Sequence, residues 1–322
     1  MKQILQNHDQ PIEDNPFHCF FEEGDVLILD RGFRDAIVSL EEHGYVAYLP
    51  PSKLRNETQL TTEAANKSRL ITMCRWVVET VNGKFKNSFK IFRDRMFNNT
   101  LTKTFTDFKI AAALIKCFQE PYEDSRYTDD FIASINRNIH KTNLLAAYVL
   151  ENNLNRQRAS FIRLDANNPE VSDFPELTYE DLIKFAIGTY HLKIARSYCS
   201  EHTKRTGVYE IEVYRHSEQI DIINDRVIRS QSHTNNVLIR CRINSRHVRS
   251  KTYYTYLLFN TAVSGIEAVK EHYCSCYHGN RTLGSCAHVI SVMYYLGWAR
   301  HNERDLDHPA LGLDFVLVDL EN

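Results

Sequence analysis

Near the C-terminal end, three cysteines and a histidine fall within fifteen residues: Cys274-Ser-Cys276, a short Gly-containing stretch, then Cys286-Ala-His288. Zn²⁺ takes four soft S or N ligands in a tetrahedron, and a C-x-C followed by a C-x-H supplies that set. Spacing alone leaves His272 and His278 as alternatives to His288 for the fourth position. A disulfide between Cys274 and Cys276 would close a strained ring, and four packing or surface residues would be the bland reading. With four protein ligands the metal has no open position for water, so its expected role is structural rather than catalytic. Such a metal turns binding energy into folding energy for a segment too small to hold itself together by burial.

A second group of residues has the types for phosphodiester chemistry. Asp30 ends the apolar run Val26-Leu-Ile-Leu29, and strand ends in α/β sheets open into crevices where ligands bind. Glu79 lies in Arg75-Trp-Val-Val-Glu79, on a helical stretch. Two carboxylates from separate elements could hold Mg²⁺ or Mn²⁺, which prefer hard oxygen ligands. The competing readings are a turn aspartate and a surface ion pair with Arg75. A third group is basic. From Arg226 to Lys251 there are six arginines and one lysine without an acid. Strand alternation puts Arg240 and Arg242 on one face, with Arg249 and Lys251 extending it from a partner strand. The face reads as a contact for DNA phosphates, or as a solvated face pairing with Glu210, Glu212 and Glu218.

The elements that would position these residues are legible in outline. Strand 24–30, helix 33–43 and strand 45–50 predict a βαβ unit with a parallel pair. Helices are predicted over 59–82, with Gly83 as the stop, and over 105–118, 138–158 and 179–201. Strands are predicted at 208–214, 236–243 and 248–259, the last two joined by a hairpin turn. The apolar repeat after His288 predicts a helix that ends at Gly297. These elements divide into 1–119, a helical linker region at 120–175, and an α+β module at 176–322.

Bulk properties narrow the class. The 322 residues carry a formal net charge of −2, with 43% hydrophobic and 25% charged side chains, as soluble globular chains do. No apolar run approaches the roughly 20 residues of a membrane span, and no membrane association is expected. Cys19, Cys74, Cys117, Cys199 and Cys241 are scattered, which suits a reducing compartment. Nothing resembles a Ser-His-Asp arrangement or a phosphate-cradling glycine loop.

Two segments resemble known families. The C-x-C and C-x-H pattern with Tyr295-Leu-Gly-Trp-Ala-Arg-His301 behind it is similar to the SWIM zinc finger, at about 253–299. That resemblance implies a ββα zinc module, found in proteins that act on DNA or bind other proteins. Asp30-Arg-Gly-Phe-Arg-Asp35 and Gln59-Leu-Thr-Thr-Glu-Ala-Ala-Asn66, leading into Arg75 to Lys86, resemble the C-terminal half of DDE transposase domains of the PIF/Harbinger-like type. That resemblance implies an RNase H-like fold over about 20–118, with Asp30 and Glu79 as the second and third catalytic acids. The family's first catalytic Asp has no counterpart here, so nuclease activity is not expected. The combined expectation is a zinc-binding, transposase-derived nuclear protein: a truncated RNase H-like DDE domain followed by an α+β module. Its expected partner is DNA, with a protein partner through the zinc module as the alternative. A metal-dependent endonuclease completed by sequence upstream is the third reading.

Overall fold

A computed structural model describes residues 21–93, 101–164, 173–202, 209–246, 248 and 250–302. The chain separates into two compact units, Met1–Pro51 with Lys67–Arg126, and Ser52–Asn66 with Tyr127–Asn322. The architecture is mixed α/β, and most of its sheet is antiparallel.

In the first unit, β1 (Val26–Ile28) and β2 (Val46–Tyr48) pair in parallel, with Val26 opposite Val46. Between them runs a 3₁₀ turn, Arg31–Ala36, followed by α1 (Ile37–Glu42). Ala36, Leu40 and Tyr45 form the small core of this βαβ unit, as the apolar periodicity predicts. Helix α2 (Thr62–Ser88) passes through Gly83, the expected stop. The reason is downstream packing. Phe85 is buried and stacks on Phe108 of α3 (Leu101–Phe118) at 4.4 Å, so the apolar pattern continues beyond the glycine. A single glycine costs a helix only about 1 kcal/mol relative to alanine.

The second unit is built on a five-stranded antiparallel sheet, in the order β3 (Phe161–Arg163), β4 (Tyr209–Tyr214), β7 (Asn236–Asn244), β8 (Thr252–Asn260), β9 (Val269–Cys274). A separate hairpin joins β5 (Ile220–Ile223) and β6 (Arg226–Arg229). Helices α4 (Thr128–Asn138), α5 (Leu144–Glu151), α6 (Tyr179–Ala186), α7 (Tyr190–His202) and α8 (Ala287–Met293) complete it. The helix predicted over 179–201 is in fact two. Thr178 and Asp181 form a capping box at the start of α6, and Ile187 (φ 52°) and Gly188 (φ 119°) close it in left-handed geometry before α7 begins.

Both faces of the sheet are covered. On one face, Ile211, Ile239, Cys241, Ile243, Leu257 and Phe259 pack with residues of α6, α7 and α8. On the other, Tyr214, Leu238, Tyr256, Leu258 and Tyr273 pack with Leu145 and Val149 of α5, Leu154 and Phe161. The segment expected as a linker at 120–175 therefore behaves differently from Tyr127 onward. It supplies α5 and β3, whose apolar side chains need the sheet to bury them. No helix among the described residues is long and apolar enough to cross a membrane.

Candidate metal centre

Strand β9 ends at Cys274, opposite Thr255 of β8. A tight turn follows: the Cys274 amide donates to the Gly279 carbonyl at 3.0 Å, and the Gly279 amide to the Cys276 carbonyl at 3.0 Å. Only glycine fits at 279, because a Cβ there would lie 2.1 Å from the Cys274 carbonyl oxygen. The loop beyond is fastened on two sides. Asn66 Oδ1 accepts from the Thr282 and Leu283 amides, and Asn143 Nδ2 donates to the carbonyls of His272 and Asn280. The Leu60 amide donates to the Tyr277 carbonyl, and Tyr273 donates its hydroxyl hydrogen to Gln59. The chain then reaches Cys286, the N-cap of α8, which places His288 in the first turn of that helix.

This path brings Cys274, Cys276, Cys286 and His288 together, all buried, with donor atoms within 4.8 Å of one another. Cys274 Sγ and Cys286 Sγ lie 3.8 and 3.9 Å from His288 Nδ1. Tetrahedral zinc, with bonds of about 2.3 Å to sulfur and about 2.0 Å to nitrogen, sets its ligands roughly 3.5–3.8 Å apart. The donor set and its spacing fit Zn²⁺. Burial pushes the Cys274 thiol well up, and hydrogen bonding with Cys276 and Cys286 adds to that. Burial also acts to raise the Cys286 thiol, but hydrogen bonds from Cys274, Cys276 and His288 prevail and hold it well below its usual value. A buried cluster of this kind needs a divalent cation to carry three thiolates at once.

The rival histidines are placed elsewhere. The ring of His272 lies against Phe185, with Nε2 3.1 Å from the Gly284 carbonyl, and burial lowers its pKa to about 4. His278 packs edge-on against Tyr277. Neither belongs to the four-residue cluster.

Two outer contacts adjoin the cluster, and neither is visible in residue spacing. The Thr255 hydroxyl donates to Cys274 Sγ at 3.3 Å, and His288 Nε2 faces the Tyr198 hydroxyl at 3.2 Å. With Nδ1 turned to a bound metal, Nε2 would carry the hydrogen and donate it to Tyr198, which would fix both tautomer and ring angle. Tyr198→Phe is therefore expected to keep one Zn²⁺ per chain but weaken its binding by about tenfold. Competition with a chromophoric chelator measures this, and unchanged affinity would remove Tyr198 from the centre.

Asp30 and Glu79 do approach one another, through a cation from the protein itself. Arg75 places Nη1 3.3 Å from Asp30 Oδ1 and Nη2 3.3 Å from Glu79 Oε1. Asp30 Oδ1 also accepts from the Arg31 amide at 2.7 Å, so this aspartate caps the 3₁₀ turn. Both carboxylates are more than half exposed.

The basic strand face is not a free surface. Alternation along β7 is as expected, but the side bearing Arg240 lies beneath the second core. Arg240 is 2% exposed. Its Nε donates to Glu212 Oε2 at 2.6 Å, its Nη1 donates to the Leu154 and Gln157 carbonyls, and its guanidinium lies 3.6 Å from the Phe161 ring centroid. Arg242 donates to Glu210 at 2.6 Å. Of the four expected DNA contacts, Lys251 is exposed, its ammonium 5.2 Å from the Tyr253 ring, and Arg249 lies outside the described residues. The physical reason is that α5 and the segment after it cover a face that the strand pattern alone would leave to water.

No family model matches the chain, and neither a curated protein nor a solved structure does.

Proposed function

We propose that this chain is a zinc-dependent DNA-binding protein of the nucleus, derived from a transposase, in which a SWIM-type module is held together by one structural Zn²⁺. The observation that carries the zinc reading is the buried Cys274, Cys276, Cys286 and His288 cluster, whose four donors lie within 4.8 Å of one another and would fill all four positions of a tetrahedral ion, with none left for a reacting water. The order β8, β9, α8, with ligands at the end of β9 and the start of α8, supports the SWIM-type reading. The transposase origin and the RNase H-like fold rest on the resemblance over 20–118 and on the parallel β1–β2 pair. Nuclease activity does not belong to this reading because the family's first catalytic acid has no counterpart in the resemblance; Asp30 and Glu79 meet across Arg75.

A second reading, a zinc-held adaptor that binds protein, is favoured by one observation. Arg240 and Arg242 direct their charge at Glu212 and Glu210 rather than outward.

The test is zinc stoichiometry by mass spectrometry, followed by duplex-DNA affinity across salt with and without chelator. One zinc per chain, with DNA binding that the chelator abolishes and that weakens with salt, is the expected result. One zinc without DNA affinity selects the adaptor. No zinc defeats both.

A further inference from the structure

Arg281 sits inside the chelate loop, between Cys276 and Cys286, and is only 6% exposed. Its Nε has no hydrogen-bond partner, and no carboxylate among the described residues forms an ion pair with it. A buried guanidinium without a counter-charge is strongly disfavoured, so an arginine at this depth calls for a negative group nearby. Burial pushes its pKa down, and the groups whose charge would oppose this are the sulfurs of Cys286, Cys276 and Cys274, which the same loop joins and the same buried cluster holds. The charges then sum simply. Three thiolates, one neutral imidazole and Zn²⁺ leave one negative charge, and one guanidinium cancels it.

We propose that Arg281 is the built-in counter-cation of the zinc centre, neutralising the residual charge of the metal and its four ligands without ligating the metal. The assignment rests on the zinc reading above. It accounts for an arginine that is only 6% exposed in a loop otherwise held by amides and carbonyls. It also gives the residue a definite effect: by drawing charge from the thiolates, Arg281 lowers their reactivity toward electrophiles while favouring their deprotonated, metal-bound form.

Zn²⁺ affinity of the full chain, measured by chelator competition, separates charge from packing when Arg281→Lys and Arg281→Met are compared. The Lys chain, which keeps the charge, should stay within about threefold of the unaltered protein, and the Met chain should bind Zn²⁺ at least about tenfold more weakly. Both should give the same tetrahedral Co²⁺ absorption, showing that the four ligands are intact. Alkylation of the metal-loaded cysteines should be faster in the Met chain. A Met chain with unaltered affinity overturns the assignment, and so does a Lys chain as weak as the Met chain. If the Met chain does not fold, Arg281→Gln replaces it. If both neutral variants fail, the Lys chain decides: native-like affinity supports a charge requirement, and loss of zinc overturns it. An unaltered chain that takes up no Zn²⁺ defeats the zinc reading itself. One that binds Zn²⁺ while Arg281→Met changes nothing defeats the Arg281 assignment alone.

Discussion

Cys286→Ser should reduce zinc from one ion per chain to none and unfold the module around the metal. The substitution is a clean probe because Cys286 is also the N-cap of α8 and makes no capping bond with its own side chain. Serine is a preferred N-cap, so the start of the helix is not weakened. What is lost is a soft thiolate ligand, for which a neutral hydroxyl does not substitute. Structural zinc sites contribute on the order of 10 kcal/mol of apparent binding energy, comparable to the entire stability of an ordinary domain. The centre also organises more than its own loop. Cys274, Cys276 and Cys286 belong to the core that contains α6, α7 and α8. Near-UV circular dichroism and zinc content should therefore collapse together. A serine chain that keeps its zinc and its unfolding midpoint would remove the metal from the account of stability.

Arg240→Ala is expected to destabilise the second unit by about 3–5 kcal/mol, which is the usual result of breaking a buried ion pair from one side. Glu212, whose side chain is 13% exposed, would lose its 2.6 Å partner. The Leu154 and Gln157 carbonyls would lose their donor, and Phe161 its stacked cation. Arg242→Ala is the control. That side chain is 34% exposed, and its acceptor Glu210 retains a second cation, Arg163, at 3.4 Å. The expected loss is under about 1 kcal/mol. Urea unfolding of the two variants checks the contrast. If both cost the same small amount, Arg240 is solvated after all and the phosphate-contact reading returns.

The two cases show what a sequence can and cannot disclose. Cys274, Cys276, Cys286 and His288 were readable because chelation depends on residue type at short spacing, and both are local. The β1–α1–β2 unit was readable for the same reason, since its apolar runs and turn residues follow one another directly. Arg240 was half-readable. Period-two alternation placed it on the correct face, but what lies on that face comes from Leu154 and Gln157, 86 and 83 residues away. Strand β9 escaped notice because Val269-Lys-Glu-His-Tyr-Cys274 has little strand-like alternation, and its identity depends on pairing with β8. Tyr198 and Thr255 could not be found from spacing, since they reach the metal ligands from 90 and 19 residues away.

The fastening of the chelate loop sets a timetable for synthesis. Asn66 binds Thr282, 216 residues further along the chain. At about 5–20 residues per second, the ribosome makes the first of these roughly 10–40 s before the second. Through nearly all of that interval Gln59, Leu60 and Asn66 have no loop to hold, and none of the cysteines of the candidate metal centre has been made. The segment that emerges early can thus be seated on this loop only after Thr282 and Leu283 have been made. Closure of the loop over a metal must wait until Cys286 and His288 have also been made, so zinc that arrives earlier finds no complete site.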